Sequence, residues 1–228
     1  MTIAAPSADP SAIRHIIVLG TPSATSFTHA VAETYRDAVR DCGQHASLRD
    51  LYAMRFNPLL GPTERPTVSG HALLPDVAAE LALLEGAAVI AFVYPLWVGM
   101  PPAIIKGYIH RVLGAGFREP DLLSGTQVSL LHGKRLLGFS ASASTRPWLE
   151  EHGQWASIRQ GIDSYLASVF GLVDGGHVHF DSIVEGVPEH YVRECLAEVR
   201  ETARRTCAAV LSERHARRND ARRLLLAQ

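Results

Sequence analysis

Apolar residues are laid out along this chain in two rhythms. Short unbroken runs, HIIVLG (15–20) and AAVIAFVY (87–94), have the length and β-branched content of strands buried on both faces. HASLRDLY (45–52), KRLLGFSAS (134–142) and HVHFDSI (177–183) read as three further strands. Between them, apolar positions recur at helical spacing. Phe27, Ala30, Val31, Tyr35 and Ala38 make one face of a helix over 27–42, with Gly43 as its stop. Further helices are expected at 76–84, 103–112 and 155–171, and a long, charged, amphipathic one over 188–218. The Pro- and Gly-rich segment 56–75 and the segment 114–133 read as loops. Strands alternating with helices predict an α/β domain with a parallel sheet. Five strands joined by right-handed crossovers give the doubly wound order 2-1-3-4-5.

One run departs from both rhythms. From Gly86 to Ile105 the chain carries no charge, a length that would suit a membrane span. Pro95, Pro101 and Pro102, with Gly99 among them, break any continuous helix there, so the run is expected to be a strand, a loop and a helix start. The composition agrees with a globular chain: 47% hydrophobic and 20% charged over 228 residues, enough for one domain over 14–228 with a full core. A net charge of -1 favours neither nucleic acid nor an anionic membrane surface. Cys42, Cys195 and Cys207 are widely spaced, which fits a reducing, cytoplasmic setting better than a disulfide framework. Residues 1–13 have no basic start and no apolar stretch, and read as a disordered leader.

The predicted strand order is that of a flavodoxin-like sheet, in which ligands bind beyond the carboxyl ends of the strands where the order reverses. Three loops meet that edge. The first, TPSATSFTHA, sets Thr21, Ser23, Thr25, Ser26 and Thr28 at the mouth of a helix, whose free N–H groups suit a phosphate. Simple capping by Ser26 or Thr25 is the plainer account. Neither a G-x-G-x-x-G fingerprint nor a P-loop follows the strand. The second, PLWVGMPP, offers backbone amides and the flat surface of Trp97; taken alone, that Trp would more often pack in a core or interface. The third, FSASASTRPWLEEHG, is rich in small residues that admit a ligand close to the backbone, with Trp148 and His152 behind them. All three signals fall on the one edge.

At these loops the chain resembles the flavin-dependent NAD(P)H:quinone oxidoreductase family of the DT-diaphorase and modulator-of-drug-activity type. YPLWVGMPPAIIKGYIHRV is similar to the family's P-L-x-W-x-x-x-P-A-x-L-K-G-W-x-D-R-V segment. GTPSATSFTHAVAETY resembles its first loop, and SLRDLYAMRFNPLL its D-L-Y-x-x-x-F-x-P segment. The resemblance implies FAD, or alternatively FMN, as cofactor, NAD(P)H as co-substrate, a small-molecule electron acceptor such as a quinone, and a homodimer. It implies that Ser26, Phe27 and Thr28 bind the flavin phosphate, and that Pro95, Leu96, Trp97 and Val98 line the isoalloxazine. Ser142, Ala143 and Ser144 would cover the pyrimidine edge, and Trp148 and His152 would assist proton movement. Ping-pong hydride transfer through the flavin N5 would follow. The chain departs from the pattern at Val98 and Gly99, where aromatics are expected, at the third loop, which lacks the family's glycines, and at His110, in place of Asp.

Other readings stand beside this one. A non-catalytic flavin-binding regulatory or ancillary subunit would share the fold and site, and a flavin-free relative would explain the missing glycines. His177, His179 and Asp181 alternate onto one strand face and could ligate a metal, but imidazole ligands need further groups and an open site, and His177 is expected to open its strand, away from the ligand edge. No metal is expected. The basic run RHARRNDARR (214–223) follows Glu194, Glu198, Glu201 and Glu213, the pattern of a solvated helix face rather than a nucleic-acid surface.

Overall fold

The computed structural model describes residues 12–65, 72–116 and 129–226. Five parallel strands lie in the order β2-β1-β3-β4-β5. These are β1 (Arg14–Leu19), β2 (His45–Asp50), β3 (Val89–Pro95), β4 (Arg135–Ala141) and β5 (Val173–Phe180). Successive side chains of β1 and β3 enter opposite faces, which is why both strands are apolar throughout. Ile16, Val18, Ile90 and Phe92 pack beneath α2 (Pro75–Glu85) and α3 (Ala103–Tyr108). Ile17, Leu19, Val89, Ala91 and Val93 pack beneath α1 (Phe27–Asp41) and the long last helix, α7 (Glu189–Leu226). The expected doubly wound, flavodoxin-like sheet is the one observed.

Three short helices connect β4 to β5. They are α4 (Arg146–Glu151), α5 (Gln154–Ile158) and α6 (Tyr165–Phe170), with a π-helical turn at Arg159–Ser164 between the last two. The helix expected at 155–171 is thus present over 154–170 with a π-helical turn inside it, while α4 was not foreseen. Helix α3 likewise continues into a π-helical turn, Ile109–Leu113. Cys195, Val199, Ala203, Cys207 and Val210 form the stripe by which α7 meets the core, and most of the helix beyond them is exposed. Of the basic run foreseen at 214–223, Arg217, Arg218 and Arg223 are exposed on that outer part. Of the leader, residues 1–11 lie outside the described residues, while Ile13 already packs against the core.

Strand β5 starts earlier than the expected 177. Gly175 and Gly176 look like a break in the sequence, yet they form an irregularity within the strand, where Leu136 faces Asp174 but Gly138 faces His177. One extra residue there re-aims every following side chain. His177 thus sits in mid-strand and His179 lies opposite Ser140, close to the ligand edge. The expectation that His177 opens its strand away from that edge is corrected.

Most polar groups inside the fold are paired; among the described residues the Tyr94 hydroxyl and Arg135 Nε are buried without a hydrogen-bond partner. Arg111 is buried and donates to Glu64 at 2.7 Å, to Asp76 at 2.8 Å and to the Asn57 carbonyl at 2.7 Å, tying the segment after β2 to α2 and α3. Glu80, also buried, accepts from Arg49 and from Tyr108. On the other face, Tyr35 donates to His15 Nδ1 at 2.9 Å, and His15 Nε2 donates to the Gln44 side chain at 2.8 Å. Gln44 in turn donates to the Cys207 carbonyl of α7. Burial lowers the His15 pKa from the ordinary 6.5 to about 4, opposed by the bond to Gln44.

That shift gives a signed prediction. As pH falls below 6.5 the unfolded chain binds a proton that folded His15 does not bind until about pH 4. Stability is therefore lost from 6.5 down to 4, by about 3 kcal/mol through this group, and the group adds no pH dependence above 6.5. Urea unfolding followed from neutral to acid pH is expected to show a shallower loss in His15→Asn than in the wild-type chain.

Candidate functional site

The site is built where the strands stop. The Gly20 amide donates to Val93 O at 2.9 Å, closing β1 against β3, and the chain then turns into the hydroxyl-rich loop. Ser26 caps α1: its Oγ accepts from the His29 amide at 3.2 Å and donates to Ser23 O at 2.8 Å, with Thr21 Oγ1 3.2 Å away. The first helical bond is Ala30 N to Ser26 O, so the amides of Phe27 and Thr28 precede it and point out of the helix mouth. No acidic side chain stands in the first turn. Hydroxyls and free helix amides are the donor set of a phosphate site; the Asp50 carboxylate stands 3.9 Å from the His29 ring.

The second loop leaves the sheet at Pro95. The Leu96 amide donates to Ala141 O at 2.7 Å, one step past the last strand pair. Trp97 and Met100 then exchange two backbone bonds, of 3.0 and 3.1 Å, around a two-residue turn. Val98 (φ 51) and Gly99 (φ 74) both lie in the left-handed region, as a primed hairpin turn requires. Glycine suits that conformation; a β-branched Val does not. The amides of Leu96 and Trp97 are thus used inside the protein, contrary to the expectation that this loop offers them to a ligand. Its aromatic surface is offered: Trp97 is 45% exposed, and Val98 is fully exposed at the turn tip.

In the third loop, Ser142 donates its amide to Phe180 O at 3.0 Å, holding the end of β4 against β5. Ala143 and Ser144 follow, and Ser144 O accepts from the Ser182 amide at 3.3 Å. Helix α4 begins with Thr145 as cap and Pro147 in its first turn, a start signal that was present in the sequence. Trp148 and His152 come together at its end: their rings stack at 4.2 Å, and His152 Nδ1 donates to Trp148 O at 2.8 Å. The structure therefore pairs these two side chains and leaves both on the surface.

A buried group of polar residues below this loop was missed. Ser140 Oγ lies 2.7 Å from His177 Nε2 and 2.8 Å from His179 Nδ1. His177 Nδ1 donates to Asp163 at 2.7 Å, and Ser142 Oγ lies 3.1 Å from His179 Nε2. Gly138 makes room for this arrangement, since a Cβ there would fall 2.8 Å from the His177 ring. Burial lowers the His179 pKa to about 4, helped by His177 and Arg146 and opposed by Asp181. Asp181 does not join the two histidines; it accepts from the Arg146 amide and from Tyr191. Among the described residues no three His, Cys, Asp or Glu side chains are grouped to hold a metal. No helix of the described residues is long and apolar enough to cross a membrane.

Comparison with known proteins places the fold. A family model described as the flavodoxin-like fold matches residues 14–203. An NAD(P)H oxidoreductase of Haemophilus influenzae, itself uncharacterized, is 32% identical over 161 residues, covering 70% of this chain and 79% of its own. This chain belongs to the NAD(P)H oxidoreductase family of flavodoxin-like fold. Within the family it is 38% identical over 122 residues to the NAD(P)H dehydrogenase [quinone] 1 of Rattus norvegicus, which spans 46% of this chain but only 44% of the rat protein. Among solved structures, the NAD(P)H:quinone oxidoreductase of Methanothermobacter marburgensis superposes with a TM-score of 0.75 at 23% identity, covering 85% of this chain and 98% of that one. An FMN-dependent NADH-azoreductase of Bacillus anthracis, solved with FMN, gives 0.63 at 16% identity, covering 85% and 99%. These two structural likenesses speak for the fold.

The turn tip of this oxidoreductase gives a prediction free of packing effects. Val98 is fully exposed and holds a conformation that costs an L-residue about 1–2 kcal/mol, and that Asn tolerates better. Val98→Asn is expected to raise the unfolding free energy by about 1 kcal/mol in urea titration. An unchanged or lowered value would show that the turn is not strained.

Proposed function

We propose that this chain is a flavin-dependent NAD(P)H oxidoreductase that reduces a quinone or similar small acceptor. The observation that carries the reading is one edge holding both a helix mouth whose first turn bears no acidic residue, with outward amides at Phe27 and Thr28, and a half-exposed Trp97. A flavin presents a phosphate and a flat ring, which this pair of features suits. A bound flavin would supply the two-electron chemistry between NAD(P)H and the acceptor, the ping-pong hydride transfer through N5 that this reading carries.

The chain's residues would do the rest. Ser26, Phe27 and Thr28 hold the phosphate, and Pro95, Leu96, Trp97 and Val98 line the ring. Leu96 does so through its apolar side chain, since its amide is already used. Ser142, Ala143 and Ser144 flank the pyrimidine edge. Trp148, with His152 stacked on it, borders the acceptor position, where the pair assists proton movement between the site and water. FAD and FMN share the phosphate and ring to which these residues are fitted, so the reading takes FAD first and FMN as its alternative.

A homodimer and a cytoplasmic setting belong to the same reading. The edge is open in a single chain and carries exposed Leu59, Trp97, Met100 and Trp148, which a second copy would cover. The cysteines are all free. The alternative, a flavin-binding subunit without turnover, shares every contact named here and differs only in rate.

Steady-state oxidation of NADH and NADPH with menadione as acceptor separates them. Sustained turnover is expected, and a protein that binds flavin but does not turn over would identify the regulator instead. Trp97→Ala is expected to weaken flavin binding by roughly fivefold, the worth of about 1 kcal/mol of aromatic contact. Unaltered affinity would remove Trp97 from the site.

A further inference from the structure

Five polar side chains run in a line from the interior to the ligand edge: Asp163, His177, Ser140, His179 and Ser142. The four contacts between them measure 2.7, 2.7, 2.8 and 3.1 Å. The His177 side chain is fully buried, Asp163 is 7% exposed, and Ser140 is buried at 2%. Holding the capping residues of α1 and the loop of Trp97 in place requires none of Asp163, His177, Ser140 or His179. Two local irregularities bring the line together. The extra residue in β5 aims His177 and His179 at Ser140, and the π-helical turn carries Asp163.

Two proton orders satisfy every contact. In the first, Ser142 donates to His179 Nε2, His179 Nδ1 to Ser140, Ser140 to His177 Nε2, and His177 Nδ1 to the Asp163 carboxylate. Both rings are then neutral. If His177 takes up one proton and becomes an imidazolium against Asp163, its Nε2 turns donor. Ser140 then donates to His179 Nδ1, His179 Nε2 donates to Ser142, and the Ser142 hydroxyl points outward. In that order Ser142 is bonded to Ser144 O, 3.0 Å away, or to a ligand at the edge.

We propose that this line is a proton relay, loaded at the Asp163–His177 pair and discharged at Ser142 once per turnover. It deepens the oxidoreductase reading and rests on it for the use of the proton. A quinone becomes a hydroquinone by gaining two electrons and two protons. The hydride from NAD(P)H brings both electrons and one proton. The relay brings the second proton: Ser142 gives its hydrogen to the acceptor oxygen and receives that of His179 Nε2. His179 Nδ1 takes the hydrogen of Ser140, and Ser140 takes that of His177 Nε2. The chain is left in its first order, and once the product has gone, water at the edge gives a proton to Ser142 and the same hops run backwards to return one to His177 Nε2.

Every packed element faces this line with groups that fit the task. Arg159 donates to Asp163 at 2.8 Å and to Asp174 at 3.1 Å, setting a cation beside the inner end. Tyr94 of β3 and Trp155 of α5 present their rings edge-on to His177. Arg146 lies 4.0 Å above Trp155, and with Asp181 it borders His179. Burial keeps His179 neutral at neutral pH, so it passes a proton without retaining it. The Tyr94 hydroxyl is buried with no hydrogen-bond partner and takes no part in the line.

The relay has a signature that needs no flavin. Nitrogen-15 histidine spectra of the full chain, acidified until His177 is doubly protonated, are expected to show His179 switching from the Nδ1–H to the Nε2–H tautomer in step with His177. In Ser140→Ala the switch is expected to vanish, and in Ser140→Thr, which keeps the hydroxyl, to return. A His179 tautomer that stays fixed while wild-type His177 takes up its proton would overturn the relay. In flavin-loaded protein, Ser140→Ala is expected to slow acceptor reduction more than reduction by NAD(P)H, by about tenfold or more. Equal effects on the two half-reactions would also overturn it. A chain that binds no flavin would defeat the oxidoreductase reading alone, and the spectra would still decide the relay.

Discussion

The pairing of β3 with a strand on each side is the constraint from which the rest of the molecule follows. Its parallel register ends β1 at Leu19 against Val93 and β4 at Ala141 against Pro95. Parallel strands end their carbonyls at one edge, so the loops after β1, β3 and β4 emerge side by side. Two backbone bonds finish the job, Gly20 to Val93 and Leu96 to Ala141. They fix where each loop begins. Without them the capped mouth of α1 and the exposed face of Trp97 would not share an edge.

Around that frame, most buried polar groups are paired. The Arg111 cluster holds the segment after β2 onto α2 and α3, where Gly107 lets Pro58 approach so closely that a Cβ would fall 2.3 Å from it. The His15–Tyr35–Gln44 chain ties β1 and α1 to α7. Both are structural: each residue is satisfied by the fold itself, and none reaches the ligand edge. The Ser140–His177–His179 group differs in that it ends at Ser142, on the edge. A strained turn at Val98 stands on the same side of the sheet.

Much of this was legible in the sequence because it depends on local pattern. The unbroken apolar runs of β1 and β3 can only be strands covered on both faces, and the prolines after β3 can only mark its exit. The hydroxyl-rich loop and Trp97 fell on the right edge because strand order alone locates that edge. What failed was geometry set by register. Gly175-Gly176 has the composition of a strand boundary, and only the pairing with β4 shows it to be a bulge, so His177 was placed at the wrong end of its strand. Helix α4 has six residues, too few for a periodic signal, though Thr145 and Pro147 announced it. The π-helical turn that carries Asp163 leaves no mark on apolar spacing. The spent amides of Leu96 and Trp97 were equally invisible, since a sequence does not show which carbonyl a loop amide will meet.

The central claim is that the carboxyl edge between β1, β3 and β4 is built to hold a flavin. The most direct measurement is the absorbance spectrum of the purified chain, with any released cofactor identified by mass. The account predicts a flavin spectrum, about one flavin per chain, and a mass that assigns FAD or FMN. A colourless chain that takes up neither cofactor on titration would contradict it.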